Sequence, residues 1–171
     1  MNNMKTIQQH ITERLQLNKD RVRQYEYFPE TKEELEKIID EITEQHKDDD
    51  IIDLNMIDTS NITDMSDLFA DIKHNYNISE WDVSNVTNMS GIFYNSNFNN
   101  DISQWDVSNV KDMFAMFSYS QFNQDISNWK ISNVKNFMYM FAHSQFKQDL
   151  TPWKDKIKNK KQLLAIQDYI K

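Results

Sequence analysis

Apolar residues recur every 24 positions through the middle of the chain, from residue 54 to residue 153, without an insertion. The best-preserved copies are WDVSNVTNMSGIF, WDVSNVKDMFAMF and WKISNVKNFMYMF. The four full copies begin at Ile57, Trp81, Trp105 and Trp129, and a fifth begins at Trp153 but is not continued. A fixed period of this length is typical of stacked repeats, in which each unit buries its apolar side chains against the next.

The pattern inside one unit predicts its local structure. The alternation Trp-x-Val, as at Trp105 and Val107, has the period of a short strand whose apolar side chains face the core. The spacing of three in Val-x-x-Met-x-x-Met-Phe, which ends at Phe117, suits a 3₁₀ turn or a single α-helical turn. The polar stretches between these elements predict turns and loops.

The N-terminal flank predicts two helices and an extended segment. Residues 6–17 have the spacing of a short amphipathic helix. The stretch Tyr25–Phe28 favours a strand or extended segment, because Pro29 follows it. Thr31 followed by Glu34 is a capping-box signature, and it predicts a helix over about residues 32–46.

After Trp153 the repeat pattern fails, and residues 159–170 have the apolar spacing of a helix. The terminal units of a repeat array expose apolar edges, so both ends need a cap with a polar outer face. We therefore expect three regions: a helical N-terminal cap over residues 1–50, the repeat array over 51–153, and a helical C-terminal cap over 154–171.

The repeat resembles the leucine-rich-repeat variant of bacterial BspA-like surface proteins. It is most similar to their relatives with the repeat WDVSNVTNMSxMF…FNxDIS, a domain family of unassigned function, and the resemblance covers about residues 51–153. This resemblance implies an α/β repeat solenoid. It would be a right-handed, leucine-rich-repeat-like stack with a short parallel sheet on one face, short helical turns on the other, and helical caps at its ends.

Charge and composition narrow the function. The net charge is −8, and residues 51–150 hold 12 acidic against 5 basic side chains. Because phosphate contacts need Lys and Arg, this acidity argues against direct binding of nucleic acid or an anionic membrane. The chain has no Cys, so it can form neither a disulfide nor a thiolate metal site.

The sequence shows no targeting or membrane signal. The N-terminus lacks the apolar core of a signal peptide, no stretch approaches the ~20 apolar residues of a membrane span, and there is no Cys for lipidation. Secreted members of the family that the repeat resembles carry a signal peptide or a lipidated Cys. We therefore expect a cytoplasmic protein.

Catalytic and cofactor chemistry finds little support in the sequence. The four His residues form no metal-binding pair, and the Ser residues of the repeat recur in identical contexts, whereas a nucleophile is singular. A single Gly, Gly91, excludes the glycine-rich nucleotide-binding motifs. We expect no enzyme activity, no cofactor and no metal.

For the loop acids Asp101, Asp125 and Asp149, two interpretations stay open: a stacked Ca²⁺ site, or carboxylates that cap backbone N–H groups.

Two surface features are candidates for partner binding. The residue between Trp and Val faces away from the core in the predicted strand, which gives the acidic column Asp58, Asp82 and Asp106. This column suits a basic partner.

The second feature is a change at the two positions after the first Met of the unit, where the residues are polar in early units and apolar in later units. Its residues are Phe114, Met138 and Tyr139, with Tyr119 and His143 nearby. They predict either a partner contact or a site that the C-terminal helix covers.

The function predicted from these features is a non-catalytic protein–protein interaction module, whose partner is another protein. One alternative is an acidic inhibitor that mimics nucleic acid and blocks a basic nuclease or DNA-binding protein, of the kind that mobile elements encode. Another alternative is a fragment of a surface adhesin.

Overall fold

The computed structural model describes residues 25–157 and 159–170, and the predicted helix at residues 6–17 lies outside this range. In chain order the elements are α1 (Lys32–Gln45), β1 (Ile52–Asp53), β2 (Tyr76–Asn77), a 3₁₀ helix (Thr151–Lys156), α2 (Lys160–Ala165) and a 3₁₀ helix (Gln167–Tyr169). No helix within the described residues is long and apolar enough to cross a membrane.

Helix α1 begins where the capping signature predicts. The Thr31 hydroxyl accepts a hydrogen bond from the N–H of Glu34 at 3.2 Å, and the Glu34 carboxylate accepts one from the N–H of Glu30 at 2.8 Å. Its apolar residues Leu35, Ile39 and Ile42 are buried and belong to the same core as the repeat units. The prediction of this helix is confirmed.

Equivalent segments of successive units lie side by side in parallel register. Strands β1 and β2 pair through Ile52 with Tyr76, and parallel bridges join the same position of successive units. These bridges link Asp64 to Asn88, Asn88 to Asp112, and Asp112 to Asn136. Tyr27 forms a further parallel bridge to Ile57, so the extended segment before α1 lies against the first unit.

Most backbone hydrogen bonds between units come from one stretch of each unit, which we call the double-turn segment (residues 64–72, 88–96, 112–120 and 136–144). Alternate N–H groups of one unit donate to alternate carbonyls of the following unit. From the third unit to the fourth, these bonds join Met113 to Asn136, Ala115 to Met138, Phe117 to Met140 and Tyr119 to Ala142, at 2.8–3.0 Å.

The predicted helical turn of the unit is wrong in its geometry. In the fourth unit, the turns Phe137–Met140 and Phe141–Ser144 have a left-handed third residue, as in a type II turn, and a further turn begins at the left-handed Tyr139. The left-handed residues are Asp67, Asp71, Gly91, Asn95, Ala115, Tyr119, Tyr139 and His143, with φ between 50° and 62°. A left-handed residue cannot continue a helix, so alternate N–H groups donate to the next unit, while those between them close turns within their own unit.

The strand predicted at Trp-x-Val is also wrong in its location. Trp81 and Val83 are buried as expected, but no strand is assigned there. The N–H of Trp81 donates to the carbonyl of Ile78 at 3.2 Å, and the carbonyl of Val83 accepts from Val86 at 2.9 Å. Because these tight turns use the backbone groups, few remain for a ladder between units.

The core consists of columns of aromatic rings that continue from unit to unit. Phe117 is fully buried, and its ring stacks on the equivalent rings of Phe93 and Phe141 at 5.6 and 5.7 Å between centroids. The buried indole N–H groups are bonded too: that of Trp129 donates to the carbonyl of Ile102 at 3.2 Å, as its counterparts do in earlier units.

The flanking segments contact the two ends of the array. At the first unit, the Lys32 ammonium donates to the carbonyl and hydroxyl of Ser66. At the fourth unit, the Tyr169 ring packs on Phe141 and Phe146, with centroid distances of 5.0 and 5.4 Å. The helix predicted over residues 159–170 is shorter than expected, because the backbone at Ile166 separates α2 from the last 3₁₀ helix. Ile166 itself is fully buried.

Candidate protein-binding surface

The acidic column is present, but its carboxylates accept hydrogen bonds from the backbone N–H groups two residues later in the chain. Asp82 Oδ1 accepts from the N–H of Ser84 at 3.0 Å and from its hydroxyl at 2.6 Å. Asp58 is buried and accepts from the N–H of Ser60 at 3.1 Å. Asp82 and Asp106 stay exposed, so they could still meet a basic partner.

The surroundings of Asp106, the last acidic residue of this column, favour its ionised form. Hydrogen bonds from the side chain and backbone of Ser108 lower the pKa of Asp106, and Lys130 adds a smaller attraction in the same direction. The column thus ends in a carboxylate–ammonium neighbourhood rather than in a uniformly negative surface.

The loop acids form the same kind of turn. Asp101 accepts from the N–H of Ser103 at 2.8 Å, and Asp125 accepts from that of Ser127 at 2.9 Å. Asp149 accepts from the N–H of Thr151 at 2.9 Å. This geometry fits the capping interpretation of these acids. Within residues 25–157 and 159–170, no group of three or more His, Asp or Glu side chains is placed to hold a metal ion.

The apolar candidates come together on the double-turn segments. We define the aromatic patch as Tyr94, Phe114, Tyr119, Met138, Tyr139 and His143. Phe114 is 40% exposed, Tyr119 50% and Tyr139 59%, which are large values for aromatic side chains. Phe114, Tyr119, Met138, Tyr139 and His143 each stand at the second or third position of a β-turn, and their side chains are exposed.

Ring contacts join the rings of the patch in two groups, which together involve three units. Phe114 meets Tyr139 edge to face at a centroid distance of 5.8 Å. Tyr119 meets Tyr94 edge to face at 5.8 Å, and it stacks on His143 at 4.7 Å. The patch therefore presents partly ordered rings, which a partner can contact without fixing several free side chains.

Tyr94 was not among the residues predicted from the sequence, although a signal for it existed. When the units are aligned, it occupies the column of Ala70, Ser118 and Ala142. A large ring in a column of small residues, one position before the second left-handed residue, marks the same outward face as Phe114.

The left-handed backbone makes the patch energetically unusual. Tyr119, Tyr139 and His143 have φ values of 58°, 59° and 57°. This conformation costs a residue with a side chain about 1–2 kcal/mol, and Gly, Asn and Asp adopt it most easily. The first two units place Asp, Gly or Asn at all of these positions, as at Asp67 and Asn95.

The C-terminal segment contacts inward-facing residues of the fourth unit. Its bonds and ring contacts reach the end of the array, for example from Gln162 to the carbonyl of Val134 at 3.1 Å and from Tyr169 to Phe141. Phe114, Tyr119 and Tyr139 remain exposed beside it.

Comparison with protein families matches residues 33–153 to DUF285, described as "Mycoplasma protein of unknown function". No curated protein and no solved structure gave a match. The match spans nearly all of α1 and all four repeat units, which is more than half of the chain. The chain therefore belongs to the DUF285 family.

Proposed function

We propose that this protein is a non-catalytic protein-binding module whose aromatic patch is the contact surface. The observation that carries the proposal is the exposure of large rings at left-handed backbone positions. The proposed scaffold is a right-handed, BspA-like solenoid with capped ends. The parallel register of equivalent segments in successive units supports it.

Exposed rings of this kind suit binding to a protein. Soluble proteins rarely expose large contiguous apolar patches, and patches of that kind mark interaction sites. Aromatic residues are enriched among the few residues that dominate binding energy at interfaces. The patch holds four aromatic rings and His143, which neighbouring units contribute together.

The left-handed backbone at these rings extends the same argument. Gly, Asn or Asp at residues 119 and 139 would relieve the left-handed strain, as the equivalent residues do in the first two units. Because this conformation is unfavourable for large side chains, we expect the rings to lower the stability of the fold, which favours a role for them outside folding.

The acidic-inhibitor alternative depends on a different surface. Asp82 and Asp106 are exposed, and the pKa of Asp106 is lowered, so this carboxylate is ionised over the neutral range. A basic nuclease or DNA-binding protein would be held by these charges, and its binding would weaken as salt rises. The resemblance to surface proteins supports the adhesin alternative, in which the same patch faces a host protein.

Affinity capture from a native-source lysate, with the full chain as bait, tests the proposal. The bait variants are Phe114→Ser/Tyr139→Asn, which removes patch rings, and Ser66→Ala/Asp67→Asn, which changes the same two columns in the first unit. We expect the patch variant to lose a partner that the first-unit variant keeps, at low and at high salt.

The acidic surface has its own variant in the same experiment. Asp82→Asn/Asp106→Asn removes two charges but keeps the oxygen that accepts the turn hydrogen bond. A partner lost only with this variant, and lost at high salt, would assign binding to the acidic surface. Retention of every partner by the patch variant would overturn the proposal.

A further inference from the structure

At the fourth unit, the row of backbone N–H groups that would donate to a next unit has no acceptor among the described residues. In the first three units, four alternate N–H groups of the double-turn segment donate to the next unit. The equivalent groups of the fourth unit are the N–H groups of Phe137, Tyr139, Phe141 and His143, which we call the donor row. None of the residues that the structure describes accepts a hydrogen bond from this row.

The reason lies in the unfinished fifth unit. The offset that joins Met113 to Asn136 would assign the acceptor carbonyls to Lys160, Gln162, Leu164 and Ile166. These residues form α2 and its C-terminal cap, where carbonyls point along the helix axis towards its own amides. Trp153, which opens the fifth unit, already differs from its counterparts, because its buried indole N–H has no partner in the described part of the chain.

Part of the donor row lies within the aromatic patch. Tyr139 and His143 are exposed residues, and their side chains belong to the patch. The side chains of Phe137 and Phe141 are buried, and the Tyr169 hydroxyl donates to the Phe141 carbonyl at 3.4 Å. A ligand would therefore meet the N–H groups of Tyr139 and His143 together with the exposed rings.

A row that only donates restricts what can lie against it. An ordinary β-strand presents both N–H and C=O groups along its edge, so some of its donors would face donors. A proline-rich segment avoids this conflict, because Pro has a carbonyl but no N–H. In the polyproline II conformation its carbonyls point outwards, and such segments bind grooves lined by aromatic side chains.

We propose that the patch and the exposed end of the donor row bind a proline-rich segment of the partner in the polyproline II conformation. The rings of Phe114, Tyr119 and Tyr139 pack against its prolines. The N–H groups of Tyr139 and His143 donate to its carbonyls. This inference rests on the proposed function, because it uses the same patch and names the chemistry of the partner.

Titration with a fluorescein-labelled peptide of about ten prolines tests the inference. Such a peptide is roughly 30 Å long at 3.1 Å per residue. A Gly-Ser peptide of equal length is the control ligand. We expect the full chain to bind the proline peptide and not the Gly-Ser peptide. Tyr139→Asn should raise the Kd about tenfold, since a central aromatic contact is lost while Asn tolerates the left-handed backbone. Asp67→Asn, in the same column of the first unit, should leave the Kd unchanged.

Amide NMR tests the hydrogen bonds directly. On addition of the proline peptide, the amide resonances of Tyr139 and His143 should shift and their hydrogen exchange should slow. The amide of Gly91 should not respond, because it already donates to the carbonyl of Phe114 at 2.8 Å.

Several results would overturn the inference. These are no binding of the proline peptide up to about 1 mM, equal binding by the Tyr139→Asn variant, or unchanged Tyr139 and His143 amides. Self-association through the patch, seen as a mass that rises with concentration and falls in Tyr139→Asn, would assign the surface to a second copy instead. If lysate capture still depends on the patch rings, only the proline-rich ligand is rejected. If capture does not depend on them, the proposed function is rejected as well.

Discussion

The double-turn segments of the first and fourth units have the same backbone conformation, but their outward residues are polar in the first unit and apolar in the fourth. The third residue of the first turn has φ of 54° at Asp67 and 59° at Tyr139. Inward-facing residues also agree, since Phe69 and Phe141 are both buried in the same ring column. The outward residues differ completely: Ser66 and Asp67 are polar, whereas their counterparts in the fourth unit are Met138 and Tyr139.

This difference separates two roles within a single repeat. The inward residues and the hydrogen bonds between units fix the array, and they tolerate little change. The outward residues of each turn contact few neighbours, so they can vary from unit to unit without altering the array. Function is therefore expected where the outward residues depart from the polar, turn-favouring choice.

The largest contrast should be between an inward and an outward ring of the same segment. Phe117→Ala removes a fully buried ring that stacks on both neighbouring units, so we expect a loss of about 3–5 kcal/mol in the free energy of unfolding. Tyr119→Ala should change it by no more than about 0.5 kcal/mol, since this ring is half exposed. Urea unfolding followed by circular dichroism measures both.

A graded control for that contrast is Phe117→Leu, which should lose less stability than Phe117→Ala because it keeps more apolar volume. Similar losses in Phe117→Ala and Tyr119→Ala would contradict the separation of inward and outward roles.

The next effect concerns Gly91, the one left-handed position that holds Gly. A Cβ at this position would collide with the Asp67 carboxylate of the first unit, and φ is +62°. We expect Gly91→Ala to lower the free energy of unfolding by about 1–3 kcal/mol. In an Asp67→Gly background the same substitution should cost less, because the collision is removed. Equal losses in both backgrounds, measured by urea unfolding, would show that the carboxylate plays no part.

The sequence predicts the period, the helix after Thr31 and most of the buried columns, because these depend on spacing alone. It does not predict the left-handed turns. The spacing of three in Val110, Met113 and Met116 is shared by a 3₁₀ helix and by successive β-turns, and only the backbone distinguishes them. A left-handed Ala115 or Tyr139 has no local signal, since neither residue favours that conformation.

The candidate site was predicted in part for the same reason. Phe114, Met138 and Tyr139 depart visibly from their columns, so alignment of the units finds them. The donor row could not be found from the sequence, because it depends on which carbonyls the fourth unit lacks. The acidic column was predicted as a binding surface, whereas in the structure Asp82 accepts hydrogen bonds from Ser84. The sequence alone does not distinguish a carboxylate that is free to bind a partner from one that bonds its own turn.

A smaller effect of opposite sign tests the strain in the patch. Tyr139→Gly relieves the left-handed conformation, so we expect the free energy of unfolding to rise by about 1 kcal/mol. The same variant should lose the partner in capture experiments. Asp67→Gly is the control in the first unit and should gain less, since Asp tolerates this backbone better than Tyr. A Tyr139→Gly protein that is less stable than the parent would show that the ring supports the fold.

The smallest effect is electrostatic and concerns the bridge between the first two units. Burial opposes ionisation of Asp64, but hydrogen bonds from Ser66 and Asn88 and the nearby Lys32 ammonium outweigh it, so the pKa of this carboxyl is lowered. A lowered pKa in the folded state contributes stability above the unfolded pKa, about 3.9. This contribution is lost as the pH falls through the folded value. Asp64→Asn keeps the oxygen that accepts from the N–H of Ser66, as Asn88 does in the second unit. It removes the charge and also the second oxygen, which accepts from the Asn88 amide at 3.0 Å.

We therefore expect the parent to be slightly more stable than Asp64→Asn at neutral pH. The difference should shrink as the pH falls from about 5 to below about 3. Urea unfolding at a series of pH values measures it. Asp64→Ala, which also loses the acceptor for the N–H of Ser66 at 2.8 Å, should be destabilised at every pH. A difference in the free energy of unfolding that does not change with pH would mean that the charge of Asp64 does not contribute to stability. The first unit would then hold its neighbour with the same neutral turn that the second and fourth units use.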